Sequence, residues 1–380
     1  MIIGNFIEEA RIGGPQIRNL MIAKELQKKT NIHLLFPKND SKKLVNQCLK
    51  YNIKYQTIPI VSPKLSLGGL IRYIFFFPFD VIKIIKIFKK KKFDIIHSSG
   101  GAWQIKAIIA AKLIDVKVIW ELNDTYTPRI FRYLFFFLSR LASGFLFSYH
   151  RTKKYYIKYL PNKKKKIIIQ SPVETSKFDP RLNYSLNNFV KKLKRKKIII
   201  GTVANINPTK DLGILIKSIK KISYDPNKLA FIIVGSIFKS QKKYYKNLLR
   251  LLKKYSINNF YFLGAINDVK PILSAIDIYV CSSKNESSPL SVWEAMSMKK
   301  AIVSTNVGDV NKFVINGKNG FIINPGDSHN MANKISILIK NSMLRKKFGH
   351  YSRRVAKKKL DLKKCSAQHF EFYKEIFKSL

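Results

Sequence analysis

The chain has 380 residues, of which 46% are hydrophobic, so it is long enough for two folded domains with sizeable cores. It contains 72 Lys and Arg against 22 Asp and Glu, a formal net charge of +50, which predicts attraction to anions such as phospholipid head groups, phosphorylated ligands or nucleic acid. The basic residues are spread through the chain, so no single segment is typical of a nucleic-acid-binding arm, and we expect no specific nucleic-acid partner.

Cysteine and histidine spacing gives no sign of a metal site. Cys48, Cys281 and Cys365 lie far apart without a Cys-x-x-Cys pair, and the six His residues form no metal-binding pair. This spacing argues against a disulfide framework or a zinc site and fits a reducing compartment.

No segment is typical of a signal peptide or a membrane span. The N-terminal residues 1–6 form a strand-like run without a basic lead or a cleavage site. Two apolar stretches, 73–88 and 130–147, are interrupted by charged residues, whereas a spanning helix needs about 20 mostly apolar residues. We therefore expect a cytoplasmic protein.

Apolar, strand-like runs alternate with helical patterns along the whole chain, which predicts βαβ units and parallel sheets. The runs lie at 2–7, 32–36, 53–60, 93–97, 116–120, 144–149, 166–170, 197–203, 230–234, 259–263, 276–281, 301–304 and 320–323. They are too many for one open sheet, and the pattern restarts after a Lys-rich bridge. We predict an α/β fold with two Rossmann-like domains, at 1–184 and 197–364, facing each other across a cleft and joined by a linker at 185–196.

Residues 281–296 have the pattern of an anion site between two carboxylates. A strand ends at Cys281, Glu286 lies on the following loop, and Glu294 lies about one turn into a helix that begins near Pro289. The first-turn N–H groups of residues 290–292 lack partners within such a helix and favour a phosphate. A nucleotide sugar has this layout of ribose, diphosphate and hexose; the alternative is two solvated carboxylates near a helix start.

The Glu-x7-Glu stretch, with Ser282-Ser283 before it and Glu294-Ala-Met after it, resembles the donor site of retaining GT-B glycosyltransferases, most closely family 4. The resemblance implies that Glu286 contacts the donor hexose and that Glu294 binds the ribose. It also implies that the helix start at Pro289, Leu290 and Ser291 holds the diphosphate. The resemblance is strong over residues 197–350 and looser in the first half of the chain.

The loop from Gly201 to Asp211 is similar to the family's G-R-L-x-x-x-K-G loop, with Lys210 at the Lys position and Asn205 at the Arg position. A departing diphosphate gains negative charge, and without a metal a cation such as Lys210 must stabilise it. The stretch 262–268 matches a further strand end of the family, where Ala265 or Ile266 would contact the base through the main chain.

In the first half, Gly13-Gly14 opens a helix and resembles the family's Gly-Gly loop, which implies that Gly14 contacts the donor diphosphate; the alternative is a plain tight turn. His97 ends a strand and is expected to anchor its loop. The family often has a His after the next strand, where this chain has Glu121 and, slightly further on, Asp124. Both are candidates for deprotonating the acceptor, although Asp124 could instead cap the following helix.

Two segments, 81–90 and 129–140, combine basic residues with apolar ones, and aromatic clusters lie at 75–79 and 135–137. Core-facing helices with a solvated Lys edge would show the same pattern. Together with the net charge, the aromatic clusters favour helices that lie on an anionic inner leaflet.

The resemblance implies a retaining hexosyltransferase that acts on a UDP- or GDP-sugar, with a glycan or polyprenyl-linked acceptor and no further cofactor, in cell-surface polysaccharide biosynthesis. The absence of an Asp-x-Asp pair in the sequence indicates metal independence. We expect the protein on the inner face of the membrane and its last helix, 365–380, to pack back onto the first domain. Alternatives are a basic membrane- or nucleic-acid-binding protein without catalysis, and an epimerase or phosphorylase on the same fold.

Overall fold

The computed structural model describes residues 1–63, 66–125, 127 and 129–379, with the backbone alone at 129–131. It divides into two compact units, Met1–Pro172 with Leu362–Leu380, and Val173–Asp361. The predicted α/β class is confirmed, since each unit is a parallel sheet with helices packed against it.

The first unit contains a seven-stranded parallel sheet in the order β3-β2-β1-β4-β5-β6-β7. Its strands are β1 (Ile2–Ile7), β2 (Asn31–Pro37), β3 (Tyr55–Ile58), β4 (Ile95–Gly100), β5 (Lys117–Leu122), β6 (Gly144–Phe147) and β7 (Lys165–Ile168). All seven coincide with predicted strand runs. Because both faces of the sheet are covered, its strands β1, β2, β5 and β6 are largely apolar and do not alternate.

Two layers of helices cover this sheet. The helices are α1 (Gly14–Leu26), α2 (Lys42–Lys50), α3 (Leu67–Lys91), α4 (Lys106–Leu113), α5 (Arg129–Leu138) and α6 (His150–Tyr156). Side chains of α3, α4 and α5 share one core with Phe6 and Trp120, whereas α1 and α2 share the other core with Ile3 and Ile119. The carboxyl ends of all seven strands therefore meet at one edge, between these layers.

The second unit contains a six-stranded parallel sheet in the order β10-β9-β8-β11-β12-β13. Its strands are β8 (Ile198–Val203), β9 (Leu229–Val234), β10 (Phe260–Phe262), β11 (Ile278–Cys281), β12 (Ala301–Thr305) and β13 (Gly320–Ile323). Its helices are α7 (Asn188–Lys196), α8 (Leu212–Ile219), α9 (Lys242–Lys254), α10 (Lys270–Ala275), α11 (Leu290–Ser297), α12 (Val310–Phe313), α13 (Ser328–Lys340) and α14 (Ser342–Val355). The sequence order reverses between β8 and β11, and ligands of open α/β sheets bind at such a reversal.

The boundary between the units differs from the prediction. The chain enters the second unit at Val173, well before residue 184, because the segment that follows is bonded there: Ser297 Oγ donates to the Phe178 carbonyl over 2.7 Å. The predicted linker 185–196 is mostly helix α7, with Val190 and Leu193 buried. Two apolar residues three positions apart are enough to bury one face of a short helix. The Lys residues around them made the segment resemble a linker.

The last helix, α15 (Leu362–Lys378), belongs to the first unit and packs against α1. It begins at Leu362 and not at Cys365, and Leu380 lies outside the described residues. Gly144 on β6 allows this helix to pack closely against the strand, since a Cβ at this position would lie 2.6 Å from Ile376 Cδ1 and 3.1 Å from Phe372 Cζ.

Replacing Gly144 with Val should lower the free energy of unfolding by about 1–3 kcal/mol, because the added methyl groups overpack the contact with α15. The measurement is chemical denaturation of both proteins. Gly68→Ala is the matched control, since nothing lies within 4 Å of that Cβ position. Equal stability of wild type and Gly144→Val would contradict the tight packing of α15 on β6.

Candidate functional site

Lys210 and Glu286, 76 residues apart in sequence, form an ion pair in the second unit. Lys210 ends a short 3-10 turn, 208–210, after β8, and Asn207 Oδ1 caps its N–H over 3.1 Å. Glu286 lies on the loop after β11, where Ser283 Oγ donates to its Oε1 over 2.8 Å. The structure therefore brings together the predicted cation and the predicted sugar-binding carboxylate.

The two loops that carry this pair are also joined through their backbones. Ser282 Oγ donates to the Lys210 carbonyl over 2.8 Å, and the Lys284 N–H donates to the Thr209 carbonyl over 2.8 Å. Both side chains of the pair remain partly accessible, 26% for Lys210 and 14% for Glu286, so a ligand can reach them. Preorganised loops of this kind hold charges in place before the ligand arrives.

Gly308 fixes the far side of the Glu286 loop. Its φ is +52°, and a Cβ there would lie 2.2 Å from the Ser287 carbonyl oxygen, while the next N–H, of Asp309, donates to that oxygen over 3.3 Å. Any larger residue would displace the loop. The sequence alone does not predict this close approach of two loops.

Glu294 projects from α11 and is half-buried. Burial raises the pKa of its carboxyl group to about 8, against the opposing effect of the Lys270 charge. Its side chain forms no hydrogen bond within the described part of the chain, so its oxygens are available to ligand hydroxyls. The alternative of two fully solvated carboxylates is wrong for both Glu286 and Glu294.

The start of α11 offers two free donors and not the three expected. Pro289 is the N-cap residue without a side-chain cap, and its carbonyl accepts from Val292 N over 2.9 Å. Among the described residues, the N–H groups of Leu290 and Ser291 have no backbone acceptor. Two N–H groups at the positive end of a helix still favour an anion.

The loops after β8, β9 and β10 are packed backbone to backbone. A Cβ on Gly235 would lie 1.9 Å from the Ala204 carbonyl oxygen, and the Gly235 N–H donates to Gly264 O over 2.9 Å. Asn205, at the position where the family has an Arg, accepts with its Oδ1 from Ser236 N over 3.2 Å. Its side chain therefore holds the neighbouring loop. Ala265 is exposed and Ile266 half-buried just beyond β10, at the same edge of the sheet.

In the first unit, Gly14 is exposed at the start of α1, whose N-cap, Gly13, has no side chain to cap it. Nothing lies within 4 Å of the Cβ position of Gly14. The helix start is therefore open, which fits the implied contact with a phosphate.

Glu121 lies in a different environment from the one expected of an acceptor base. It is fully buried, pairs with the buried guanidinium of Arg18, and accepts from Ser148 Oγ over 2.9 Å. His97 Nε2 lies 3.0 Å from its second oxygen. A carboxylate enclosed in this way is a structural group, because an acceptor hydroxyl cannot come within hydrogen-bonding reach.

His97 belongs to this network and lies within β4, not at the strand end that the sequence predicts, so it anchors the network and not the loop after the strand. Burial, together with the Arg18 charge, lowers the pKa of His97 to about 3, so the ring is neutral, and its Nδ1 lies 2.7 Å from the Tyr373 hydroxyl on α15. Arg18 was not identified from sequence, since an Arg on an amphipathic helix is most often solvated.

Asp124 follows β5 and is half-buried, and Tyr156 OH donates to its Oδ1 over 2.7 Å. A Cβ on Gly101 would lie 2.3 Å from Oδ2 and 2.7 Å from Trp103 Nε1, so the glycine lets this carboxylate reach the loop after β4. Trp103 lines an open cavity with Glu9, Ala10, Arg11, Asn39, Asp40, Ser62 and Pro63. The alternative that Asp124 caps the following helix involves residues 126 and 128, which lie outside the described residues.

No group of three or more His, Cys, Asp or Glu side chains in the described ranges is placed to hold a metal ion.

Residues 185–355 match the model of the glycosyl transferases group 1 family, and residues 12–177 match that of glycosyltransferase family 4. An Escherichia coli UDP-Gal:alpha-D-GlcNAc-diphosphoundecaprenol alpha-1,3-galactosyltransferase is 27% identical over 272 residues, covering 67% of this chain and 69% of that protein. A Staphylococcus aureus poly(ribitol-phosphate) alpha-N-acetylglucosaminyltransferase is 26% identical over 185 residues, 47% of this chain and 36% of its own length.

Two solved structures match over nearly the whole chain. One is the Anabaena protein HepE in complex with UDP, with a TM-score of 0.84 and 19% identity, covering 99% of this chain and 100% of that one. The other is a glycosyltransferase from Rickettsia africae, with a TM-score of 0.86 and 20% identity, covering 100% and 99%. At this identity the likeness shows the fold, two Rossmann-like units of the GT-B type.

Replacing Glu121 with Gln should destabilise the protein by about 3–5 kcal/mol, because Arg18 is left as a buried charge without its partner. The measurement is the free energy of unfolding from chemical denaturation. The double variant Arg18→Met/Glu121→Leu should recover much of the loss. A Glu121→Gln protein of wild-type stability that has lost all activity would instead assign Glu121 to catalysis.

The stability contributed by Glu294 should depend on pH in an unusual direction. Its folded pKa, about 8, lies above the ordinary carboxyl value, so the folded state binds an extra proton between the two values. The contribution is fully present below about pH 4.5 and is lost as pH rises towards 8.

The measurement compares the melting temperature of wild type and Glu294→Gln from pH 5 to 8.5. The wild type should lose stability relative to the variant as pH rises, because Gln carries no ionisable group. Parallel curves for the two proteins would show that burial does not perturb Glu294.

Proposed function

Because the chain belongs to the group 1 glycosyltransferases and has a GT-B fold resembling family 4, we propose that it transfers a hexose from a nucleotide-diphosphate sugar with retention of configuration. The observation that carries this proposal is the ion pair of Lys210 and Glu286 beside the open start of α11. A cation, a carboxylate and two free N–H groups at one edge of a sheet suit a ligand with alternating hydroxyl and phosphate groups.

The proposed donor is a UDP-sugar, with a GDP-sugar as the alternative base. The E. coli relative is named for UDP-galactose, and the Anabaena protein was also solved with UDP-glucose. In the proposed complex, Glu294 binds the ribose, and the backbone beyond β10, at Ala265 and Ile266, contacts the base. The N–H groups of Leu290 and Ser291 then lie on the diphosphate, for which Gly14 remains a further predicted contact.

The proposed chemistry breaks the bond between the sugar C1 and the diphosphate oxygen. Lys210 leaves Glu286 for the phosphate and stabilises the charge that develops there, without a metal ion, while Glu286 turns to the hexose hydroxyls. The acceptor oxygen forms its bond to C1 on the face that the phosphate leaves, and the acceptor proton goes to the departing phosphate. The alpha linkages in the names of both relatives agree with retention for an alpha-linked donor.

The proposed acceptor is a glycan or a polyprenyl-linked glycan of cell-surface polysaccharide biosynthesis. The relatives act, by their names, on a diphosphoundecaprenol-linked sugar and on poly(ribitol-phosphate). The cavity of the first unit that Trp103 lines combines this ring with polar side chains such as Asn39 and Ser62, which suits a sugar. Asp124 Oδ2 and Trp103 Nε1 both lie close to the Cβ position of Gly101, so Asp124 is proposed as a second candidate for proton removal. An acceptor of this kind places the protein in the cytoplasm, at the inner face of an anionic membrane.

The test measures release of UDP or GDP from a panel of nucleotide sugars in the presence of a chelator. One donor should be turned over by wild type, and Lys210→Met should lower kcat by about 10²–10³-fold because the leaving group loses its cation. Glu286→Gln should abolish sugar transfer. Lys284→Met is the matched control, since this lysine is 62% exposed and pairs with Asp211 and not with Glu286.

Turnover that requires added divalent metal would contradict metal independence, and an inverted product in NMR spectra would contradict retention. Conversion of one nucleotide sugar into another without release of the diphosphate would identify an epimerase. No turnover of any donor, together with no nucleotide binding in calorimetry, would overturn the proposal.

A further inference from the structure

The first part of α3, Leu67–Ile82, presents most of its apolar side chains outwards. Six of them are more than half exposed. They are Leu67 (78%), Ile71 (60%), Ile74 (63%), Phe75 (66%), Phe79 (55%) and Ile82 (51%). A helix on the surface of a water-soluble domain normally has the opposite arrangement, with its apolar side chains in the core.

Two of the side chains that face inwards from this part are polar, Tyr73 and Asp80, and both are buried. Tyr73 OH donates to Glu8 Oε2 over 2.9 Å, and Lys106 Nζ lies 2.9 Å from Asp80 Oδ2 and 4.0 Å from the centre of the Tyr73 ring. Burial raises the pKa of Glu8 to about 7.

Asp80 Oδ2 also accepts from the backbone N–H of Val61 over 2.9 Å, and Lys106 Nζ donates to the Val61 carbonyl over 2.6 Å. These contacts fix the helix to the loops after β1 and β3 and to the start of α4. Buried polar networks that are well satisfied are rigid. The outward apolar side chains are therefore held in place by the fold and are not a loosely packed segment.

The second part of α3 follows the ordinary pattern. Ile84 and Phe88 face the core, and lysines occupy the exposed side. The basic residues of this part and its C-cap are Lys83, Lys86, Lys89, Lys90, Lys91 and Lys92. The interpretation as a core-facing helix with a solvated Lys edge is thus right for this part alone.

A second apolar surface lies on α5, in the same layer of the first unit. Tyr133 is 74% exposed and Phe137 64%, while Phe135 enters the core that α3 also shares. Arg140 places its guanidinium 4.3 Å from the centre of the Phe136 ring. Aromatic rings with adjacent cations are typical of protein surfaces at a membrane interface.

We propose that the outward side of Leu67–Ile82, together with Tyr133 and Phe137 of α5, inserts into the head-group region of an anionic bilayer. The lysines from Lys83 onwards then bind the lipid phosphates. Sixteen residues give about 24 Å of helix, enough to lie in the plane of the membrane. None of the described helices is long and apolar enough to cross one.

The charge of the protein favours a bilayer over a second copy of the chain as the partner that covers this apolar surface. A second copy would bring together two surfaces of a protein with a net charge of +50, each with a run of lysines beside its apolar face. An anionic leaflet attracts the same lysines, by roughly 1 kcal/mol for each that reaches the surface. The position of α3 also suits the proposed function: the helix begins at the carboxyl edge of the sheet, where the cavity lined by Trp103 lies. This last support for a bilayer rests on the proposed function.

The experiment measures co-sedimentation of the full chain with vesicles of phosphatidylglycerol and phosphatidylethanolamine, and with neutral phosphatidylcholine vesicles. Wild type should bind the anionic vesicles, and the triple variant Ile71→Ser/Phe75→Ser/Phe79→Ser should bind at least tenfold more weakly. The matched control, Phe238→Ser/Leu249→Ser/Ile337→Ser, removes three exposed apolar side chains from the second unit and should bind like wild type. Binding by wild type should also weaken as salt rises, which needs no variant.

Release of the nucleoside diphosphate to water, assayed without membranes, separates this inference from the proposed function, because the triple variant should retain it. Wild type that fails to bind anionic vesicles, or that binds neutral ones equally well, would overturn the inference. A dimer that the triple variant abolishes would also overturn it, by showing that a second copy covers the face.

Discussion

The ion pair of Lys210 and Glu286 depends on the position of two strands. Strands β8 and β11 are neighbours, with Ile200 opposite Ile278, although two other strands lie between them in sequence. Parallel neighbours end at the same edge, so the loops that follow them must meet there. The hydrogen bonds from Ser282 to Lys210 and from Lys284 to Thr209 then fix the loops, and the charged side chains follow.

Carboxylates are the informative residues in this chain because they are scarce. The chain has 72 Lys and Arg residues, so a single lysine is weak evidence for a functional site. Only 22 residues are acidic, so the position of each carboxylate carries more information. Several of these acids are buried or half-buried against a named cation, as Glu121 is with Arg18 and Asp80 with Lys106. Glu294 is the contrast: it is half-buried and has no hydrogen-bonding partner for its side chain within the described part of the chain, which is the condition expected of a ligand-binding group.

The sequence predicts the thirteen strands well because a buried parallel strand is a continuous apolar run between turns. The meeting of Lys210 and Glu286 followed from resemblance, since spacing alone cannot bring together residues this far apart. Glu121 shows the limit: its sequence neighbourhood is that of a strand end, and only the fold shows that Arg18 of α1 encloses it. For α3, the aromatic cluster at 75–79 indicates a membrane-facing helix, but an apolar pattern does not say which side of the helix meets the core, so its exposed side chains are identified only in the structure.

The position of α15 has a consequence for synthesis on the ribosome. The second unit, 173–361, is a continuous stretch and can fold as soon as it has emerged, whereas the first unit lacks its last helix until residues 362–378 follow. Until then Gly144 faces no helix and His97 lacks the Tyr373 hydroxyl beside its Nδ1. The unit that begins the chain is therefore the last to be completed, and the part of its sheet around Gly144 stays uncovered while the other unit forms.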